Sequence, residues 1–215
     1  MKIQILISKS SWANKYKKNI ISHLSNYSKN IKIFNDHKNL KKDYDINIIF
    51  SYFKIIPKKY LIKSKVNLVP HESNLPLGKG MSPLTWQILK NKKRIYFSLI
   101  EANSSVDSGK IYFKKKVIIP KSLLFDEIKK IQFKENLNLI LKFIKIYKKS
   151  KKIQLGQNQK GESTFYKKRS PIDSEINIKK SIISQFNLFR VVDNKNYPAF
   201  FKLYGKKYYL RISKK

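Results

Sequence analysis

The sequence predicts an α/β fold with a mostly parallel sheet, followed by a small α+β module that ends in a hairpin. Three observations lead there. Short runs of branched apolar residues alternate with segments whose apolar positions recur at helical spacing. One run, "DINIIFSYF" (45–53), is apolar almost throughout, as expected of a strand covered on both faces. A stretch at 122–149, "SLLFDEIKKIQFKENLNLILKFIKIYKK", has the length and amphipathic pattern of a long helix laid on such a sheet.

In chain order, "KIQILI" (2–7) reads as the first strand. The following stretch, 11–27, reads as a helix because Trp12, Tyr16, Ile20 and Leu24 recur every four residues. "IKIFN" (31–35) and "DINIIFSYF" are the second and third strands. "IPKKYLIK" (56–63) is a short helix whose Pro57 suits a first turn. "KVNLVPH" (65–71) is a strand, and "PLTWQILKN" (83–91) a helix. "RIYFSLIEA" (94–102) and "KIYFKKKVII" (110–119) are two more strands, and the long helix follows. Composition then turns polar, with Gly156 and Gly161. The expected division is therefore a main domain at 1–150, a linker or exposed loop at 151–165 and a terminal module at 166–215. That module should hold a helix at 178–192 and a hairpin around Gly205.

With 41% apolar residues, including 13 Phe and 13 Tyr, the 215-residue chain can bury a substantial core. It has no cysteine, which excludes disulfides, thiol nucleophiles and Cys-based metal sites. His23, His37 and His71 show no ligand spacing, so no metal is expected. The apolar run Ile3–Ile7 is too short for a signal peptide or a membrane span, and a cytoplasmic protein is the expectation. The formal charge of +35 would draw anionic ligands. The excess is mostly Lys, accompanied by abundant Ile and Asn, which is the mark of an A/T-rich genome. Arg, the usual bidentate phosphate reader, occurs only at 94, 169, 190 and 211. Nucleic acid is thus disfavoured as a partner. The common nucleotide-cradling glycine motifs are absent.

The scarce imidazole of His71 stands at the end of a strand-like run. Asp107 lies in "NSSVDSG", the turn between two later strands. Ligands of open α/β sheets sit beyond the carboxyl ends of strands. A His and an Asp at one rim are candidates for an acid/base pair, the carboxylate fixing the tautomer and favouring the charged imidazole.

"HESNLPLGKGMSP" followed by "IEANSSVDSGKIYF" resembles the formyltransferases that use 10-formyltetrahydrofolate, and with them their Rossmann-like fold. The matching positions are His71, Ser73, Leu75, Pro76 and Gly80, then Asp107, Gly109 and Ile111; His71 and Asp107 are 36 positions apart. "RSPIDSEINIKKSIISQFNLFRVVDNKNYPAFF" resembles the branch that formylates nucleotide-linked amino sugars. The resemblance implies His71 and Asp107 as catalytic residues. It places the pterin against the backbone of Lys54, Ile55, Ile56 and the turn holding Asn103, Ser104 and Asp107. Ser73, Gly80, Arg169, Asn187 and Arg190 fall at substrate-side positions. The family's usual catalytic Asn, two before the His, is replaced here by Val69. Asn67, on the same side of the strand, and Asn74, just after His71, are the alternatives for its amide. The implied cofactor is 10-formyltetrahydrofolate, and the implied substrate a UDP- or dTDP-linked 4-amino-4,6-dideoxy sugar destined for surface glycan. Family habit is in keeping with a homodimer. A methionyl-tRNA formyltransferase is the first alternative, disfavoured because the chain leaves no room for that enzyme's larger β-barrel tail. The second is a non-catalytic RNA-binding relative.

Overall fold

The structure is a computed structural model describing residues 1–214. Strands β1 (Lys2–Leu6), β2 (Asn30–Phe34), β3 (Tyr44–Ile49) and β4 (Ser64–His71) run parallel. A two-residue strand, β5 (Lys79–Gly80), stands apart. β6 (Arg94–Glu101) and β7 (Ile111–Ile118) then close the main sheet with two antiparallel pairings. The strand order is β2-β1-β3-β4-β6-β7, so the sheet is built outward in both directions from β1 and β3. That switch point opens a crevice at the carboxyl ends of these strands, the usual ligand position in such sheets. β3 is central and largely buried, as its continuous apolarity predicts.

Helix α1 (Lys17–Ser25) is preceded by a 3-10 turn over Trp12–Tyr16. The helix expected from residue 11 thus opens with a tighter turn, seeded by the Ser11 hydroxyl accepting the Ala13 N–H at 3.1 Å. The third run leaves the sheet after Ile49, and Ser51 takes a positive φ of 56°. In α2 (Lys58–Leu61), Pro57 is the residue before the first turn rather than within it. α3 (Pro83–Leu89) follows β5.

The long helix α4 (Phe125–Ser150) carries the core. Ile128, Phe133, Leu137, Ile140, Phe143, Ile144 and Tyr147 are buried at helical spacing, and Phe143 meets Tyr112 of β7 edge-on at 4.8 Å. A fully buried side chain of this size is worth about 1.5–3 kcal/mol in transfer free energy alone. The same helix also buries three polar residues in its first half: Gln132, Glu135 and Asn136.

The segment 151–165 is exposed along most of its length, yet it returns to the sheet. Gln157 bridges Ile111, and β8 (Phe165–Tyr166) pairs with β5. Beyond it, α5 spans only Phe186–Val191, with a 3-10 turn before it at Ile183–Gln185. The expected longer helix is interrupted by local competition. The Gln185 amide accepts the Asn177 N–H and donates to the carbonyls of Asn177 and Lys180, and the Asn177 side chain accepts the Lys179 N–H. The terminal hairpin is present as β9 (Ala199–Leu203) and β10 (Lys206–Leu210). Its two turn residues, Tyr204 and Gly205, have φ of 48° and 70°, the positive pair that matches strand twist in a two-residue loop. Ile176, Phe189, Val192 and Ala199 form a separate small core beneath it. No helix among the described residues is long and apolar enough to cross a membrane.

Candidate active site

A cleft of about 320 Å³ lies over the carboxyl ends of the central strands. His71 ends β4 and is buried, as is Asp107 for the most part. The imidazole Nε2 lies 2.8 Å from the Gly78 carbonyl oxygen, an acceptor, so Nε2 carries the proton. Nδ1 is left facing Asp107 Oδ2 at 3.6 Å, too long for a hydrogen bond but close enough for an ion pair once Nδ1 is protonated. Asp107 Oδ2 also accepts the Gly80 N–H at 2.8 Å.

Both groups are held from far along the chain. The Gly78 N–H donates to Thr164 Oγ1 at 2.8 Å, and the Thr164 carbonyl accepts the Lys79 N–H at 2.8 Å. The Gln159 amide donates at 2.8 Å to the carbonyls of both Asp107 and Gly109. Asp107 sits at φ 48°, which few residues besides Gly, Asn and Asp tolerate. Gly109 is required by close approach: a Cβ there would lie 1.7 Å from the Glu101 carbonyl oxygen. Gly80 is required for a similar reason, with Tyr166 backbone oxygen 2.4 Å from where its Cβ would be.

The lining of the cleft comprises two groups of residues, a mostly apolar lobe and a polar one. One is walled by Tyr52–Ile56, Leu61, Val69, Ile100 and the turn 102–107. The backbone amides of Lys54, Ile55 and Ile56 make no hydrogen bond among the described residues. The Lys54 ammonium is anchored outward on Asp36 at 2.8 Å. That ion pair, with the Lys38 N–H, holds the Asp36 carboxyl down at about 2. Apolar walls with unpaired backbone donors suit a flat, polar-edged ring such as a pterin. The second lobe is formed by Trp12, Glu72, Met81–Pro83 and, from α4, Lys129, Gln132 and Asn136. Burial drives the Lys129 ammonium down to about 8, with Glu72 opposing the shift and Arg169 adding to it. It donates to Gln132 Oε1 at 2.8 Å and lies 4.9 Å from the Trp12 ring centre.

His71, Asp107, Gly80, Lys54, Ile55, Ile56, Asn103 and Ser104 therefore share one cleft. Six other candidate positions do not line it. Asn67 is buried one layer below, its amide accepting from Asn47 at 2.9 Å and donating to the Leu61 carbonyl at 3.0 Å. Asn74 is turned to Lys114. Ser73 is 1% exposed and beneath the surface. Arg190 is buried and spends its guanidinium on the carbonyls of Pro120 and Leu123 and on Asn187 Oδ1, which also occupies Asn187. Arg169 bonds the Asp173 carbonyl and Ser174. Arg190 thus ties the terminal module to the segment before α4, while Arg169 bonds within the module. Glu72, Lys129, Gln132, Asn136, Gln159 and Thr164 were not anticipated. For the three α4 residues a signal exists, since polar side chains fall on the helix's core-facing stripe.

No protein-family model matches the chain. It is 32% identical over 168 residues to a methionyl-tRNA formyltransferase of Buchnera aphidicola from Schizaphis graminum, covering 75% of this chain and 51% of that protein. The chain spans a quarter to a half of the length of the curated relatives it matches. Among solved structures, it superposes on a methionyl-tRNA formyltransferase from Clostridium thermocellum with a TM-score of 0.77 at 23% identity, covering 100% of this chain and 94% of that one. A 4-N formyltransferase from Francisella tularensis gives 0.69 at 18% identity, over 98% and 97%. HypX from Aquifex aeolicus in complex with tetrahydrofolic acid gives 0.80 at 17%, over 99% and 37%. The fold is thus the one shared by formyltransferases.

Proposed function

We propose that this chain transfers a formyl group from 10-formyltetrahydrofolate to the primary amine of a nucleotide-linked amino sugar. The observation that carries the reading is the His71–Asp107 pair in the cleft, with Nε2 pinned to Gly78 and Nδ1 turned to the carboxylate. The folate, bound in the apolar lobe, would supply an activated formyl carbon. The amine nitrogen bonds to that carbon as the bond from carbon to the folate nitrogen breaks. The amine gives up one proton and the folate nitrogen gains one. Asp107 can receive the amine's proton, directly or through His71 Nδ1. Protonated, Nδ1–H can donate to the formyl oxygen as negative charge gathers there, which favours the transition state over the ground state. Val69 supplies no amide, so on this reading His71 takes the role of donor to the formyl oxygen.

The nucleotide-sugar acceptor is supported by the resemblance of the terminal segment 169–201; the end-to-end matches with the Francisella and Clostridium enzymes are compatible with either acceptor. It is also supported by the basic groups around the second lobe, Lys129 with Lys15 and Arg169 in its field. A second reading, formylation of methionyl-tRNA, is favoured by the names of the curated relatives. The experiment is mass spectrometry of UDP- and dTDP-linked 4-amino sugars, and in parallel of methionyl-tRNA, after incubation with 10-formyltetrahydrofolate. A formamido sugar that is lost by at least ~100-fold in Asp107→Asn and in His71→Asn is the expected result. Formylated methionyl-tRNA with unmodified sugars would transfer the assignment to the second reading, and near-native rates in either folded variant would remove the pair from the mechanism.

A further inference from the structure

Glu72 follows His71 directly and is 7% exposed at the wall of the second lobe. Its Oε1 accepts one hydrogen bond, from Asn136 Nδ2 at 2.6 Å. Among the described residues no cationic side chain comes within 4 Å of it. Lys129 shares the lobe, but its ammonium is engaged by Gln132. Glu72 feels the Lys129 charge without touching it, and a buried carboxylate with no cation in contact is costly to keep. Asn136 offers a second, independent sign. It is 2% exposed, it lines the cleft, and its Oδ1 is sealed from solvent without a partner. With Nδ2 spent on Glu72, the amide is oriented so that its oxygen is the free end. Two acceptors, one charged, thus meet at a lobe wall beside the imidazole: the Glu72 carboxylate has the single donor Asn136, and the Asn136 oxygen has none. Buried polar atoms left in this way ask for a ligand that donates.

We propose that Glu72 and Asn136 form an amine-recognition subsite, in which the primary amine of the acceptor donates one N–H to the Glu72 carboxylate and another to Asn136 Oδ1. This rests on the formyl-transfer reading above and assigns the acceptor its anchoring groups. Held so, the amine's remaining valence is directed across His71 toward the folate lobe. The subsite selects an amine over a hydroxyl at the same position. A hydroxyl has one hydrogen to give and carries no charge, so one of the two acceptors would stay unpaired.

The test compares binding of a dTDP-4-amino-4,6-dideoxy sugar with that of its 4-hydroxy counterpart, to the native chain and to Glu72→Gln. Tetrahydrofolate affinity is measured on both proteins as a control for folding. The native chain should prefer the amine by about 10- to 100-fold, the loss expected for a hydrogen bond to a charged group. Glu72→Gln should reduce that preference to within about threefold, leaving affinity for tetrahydrofolate unchanged. Asn136→Leu, which removes the second acceptor, should lower the preference in the same direction. A preference that survives Glu72→Gln intact overturns the subsite; if formamido sugar is still produced, formyl transfer stands without it. A native chain that neither prefers the amine nor formylates any sugar overturns both.

Discussion

Gln159→Ala removes a side chain in the exposed stretch after the long helix. It makes two 2.8 Å bonds, to the carbonyls of Asp107 and Gly109. Each is worth about 1 kcal/mol net, so the turn loses about 2 kcal/mol of support, or about 1 if water replaces one bond. Asp107 is meanwhile in a left-handed conformation that costs about 1–2 kcal/mol, and leaving it becomes favourable once the clamp is gone. The Gly80 N–H bond to the carboxylate is the remaining restraint. If the lost support falls on the population of the competent turn, formyl transfer drops about 5- to 30-fold. The melting temperature should fall by less than about 8 °C, since 1 kcal/mol moves a domain of this size by about 2–4 °C. The assay is turnover of 10-formyltetrahydrofolate with the acceptor proposed above, together with hydrogen exchange of the amides at 103–109, which needs no acceptor. Activity within twofold of native, with unchanged exchange across the turn, would refute the clamp.

Gly109→Ala should be among the most damaging single changes, because its Cβ would stand 1.7 Å from the Glu101 carbonyl oxygen. We expect a loss of at least ~3 kcal/mol by denaturant titration, and a change under about 1 kcal/mol would show that the backbone there can yield. Lys129 should make stability rise with pH. Its folded pKa is lowered from 10.5 to about 8, so between those values the unfolded chain binds more protons and stability increases across the window. Lys129 is half-buried, so the gain is about 1–2 kcal/mol after screening. Lys129→Met should flatten that rise and be more stable than native near pH 7.5, as read from melting curves at both ends of the window. Equal slopes for the two proteins would mean that the ammonium is hydrated.

The sheet and the juxtaposition of His71 with Asp107 were legible because each rests on local signals. Apolar runs mark the strands, and turn residues mark where they end, which puts His71 and Asp107 at one rim. What was not legible depends on depth or on distance along the chain. Strand parity puts Asn67 on the face of Val69 and His71, but the cleft opens only at the carboxyl end, and four residues back the amide is taken by Asn47 and Leu61. Arg190 reads as a helix-surface charge, while its partners are backbone carbonyls 67 and 70 positions away, which no residue type announces. The polar stretch after α4 has a linker's composition, yet Gln159 and Thr164 are recruited from it across 52 and 86 positions.

That recruitment has a consequence for how the protein comes to life on the ribosome. By the time residue 150 has been made, the six strands and the helix that covers them exist, and so do His71 and Asp107. The carbonyl that sets the imidazole's tautomer still lacks its brace, and the turn bearing the carboxylate still lacks its clamp, because Thr164 and Gln159 have yet to emerge. A chain ending at residue 150 would carry both reactive groups without the hydrogen bonds that brace them. Residues 159 and 164 are the ones that complete the bonding of the centre.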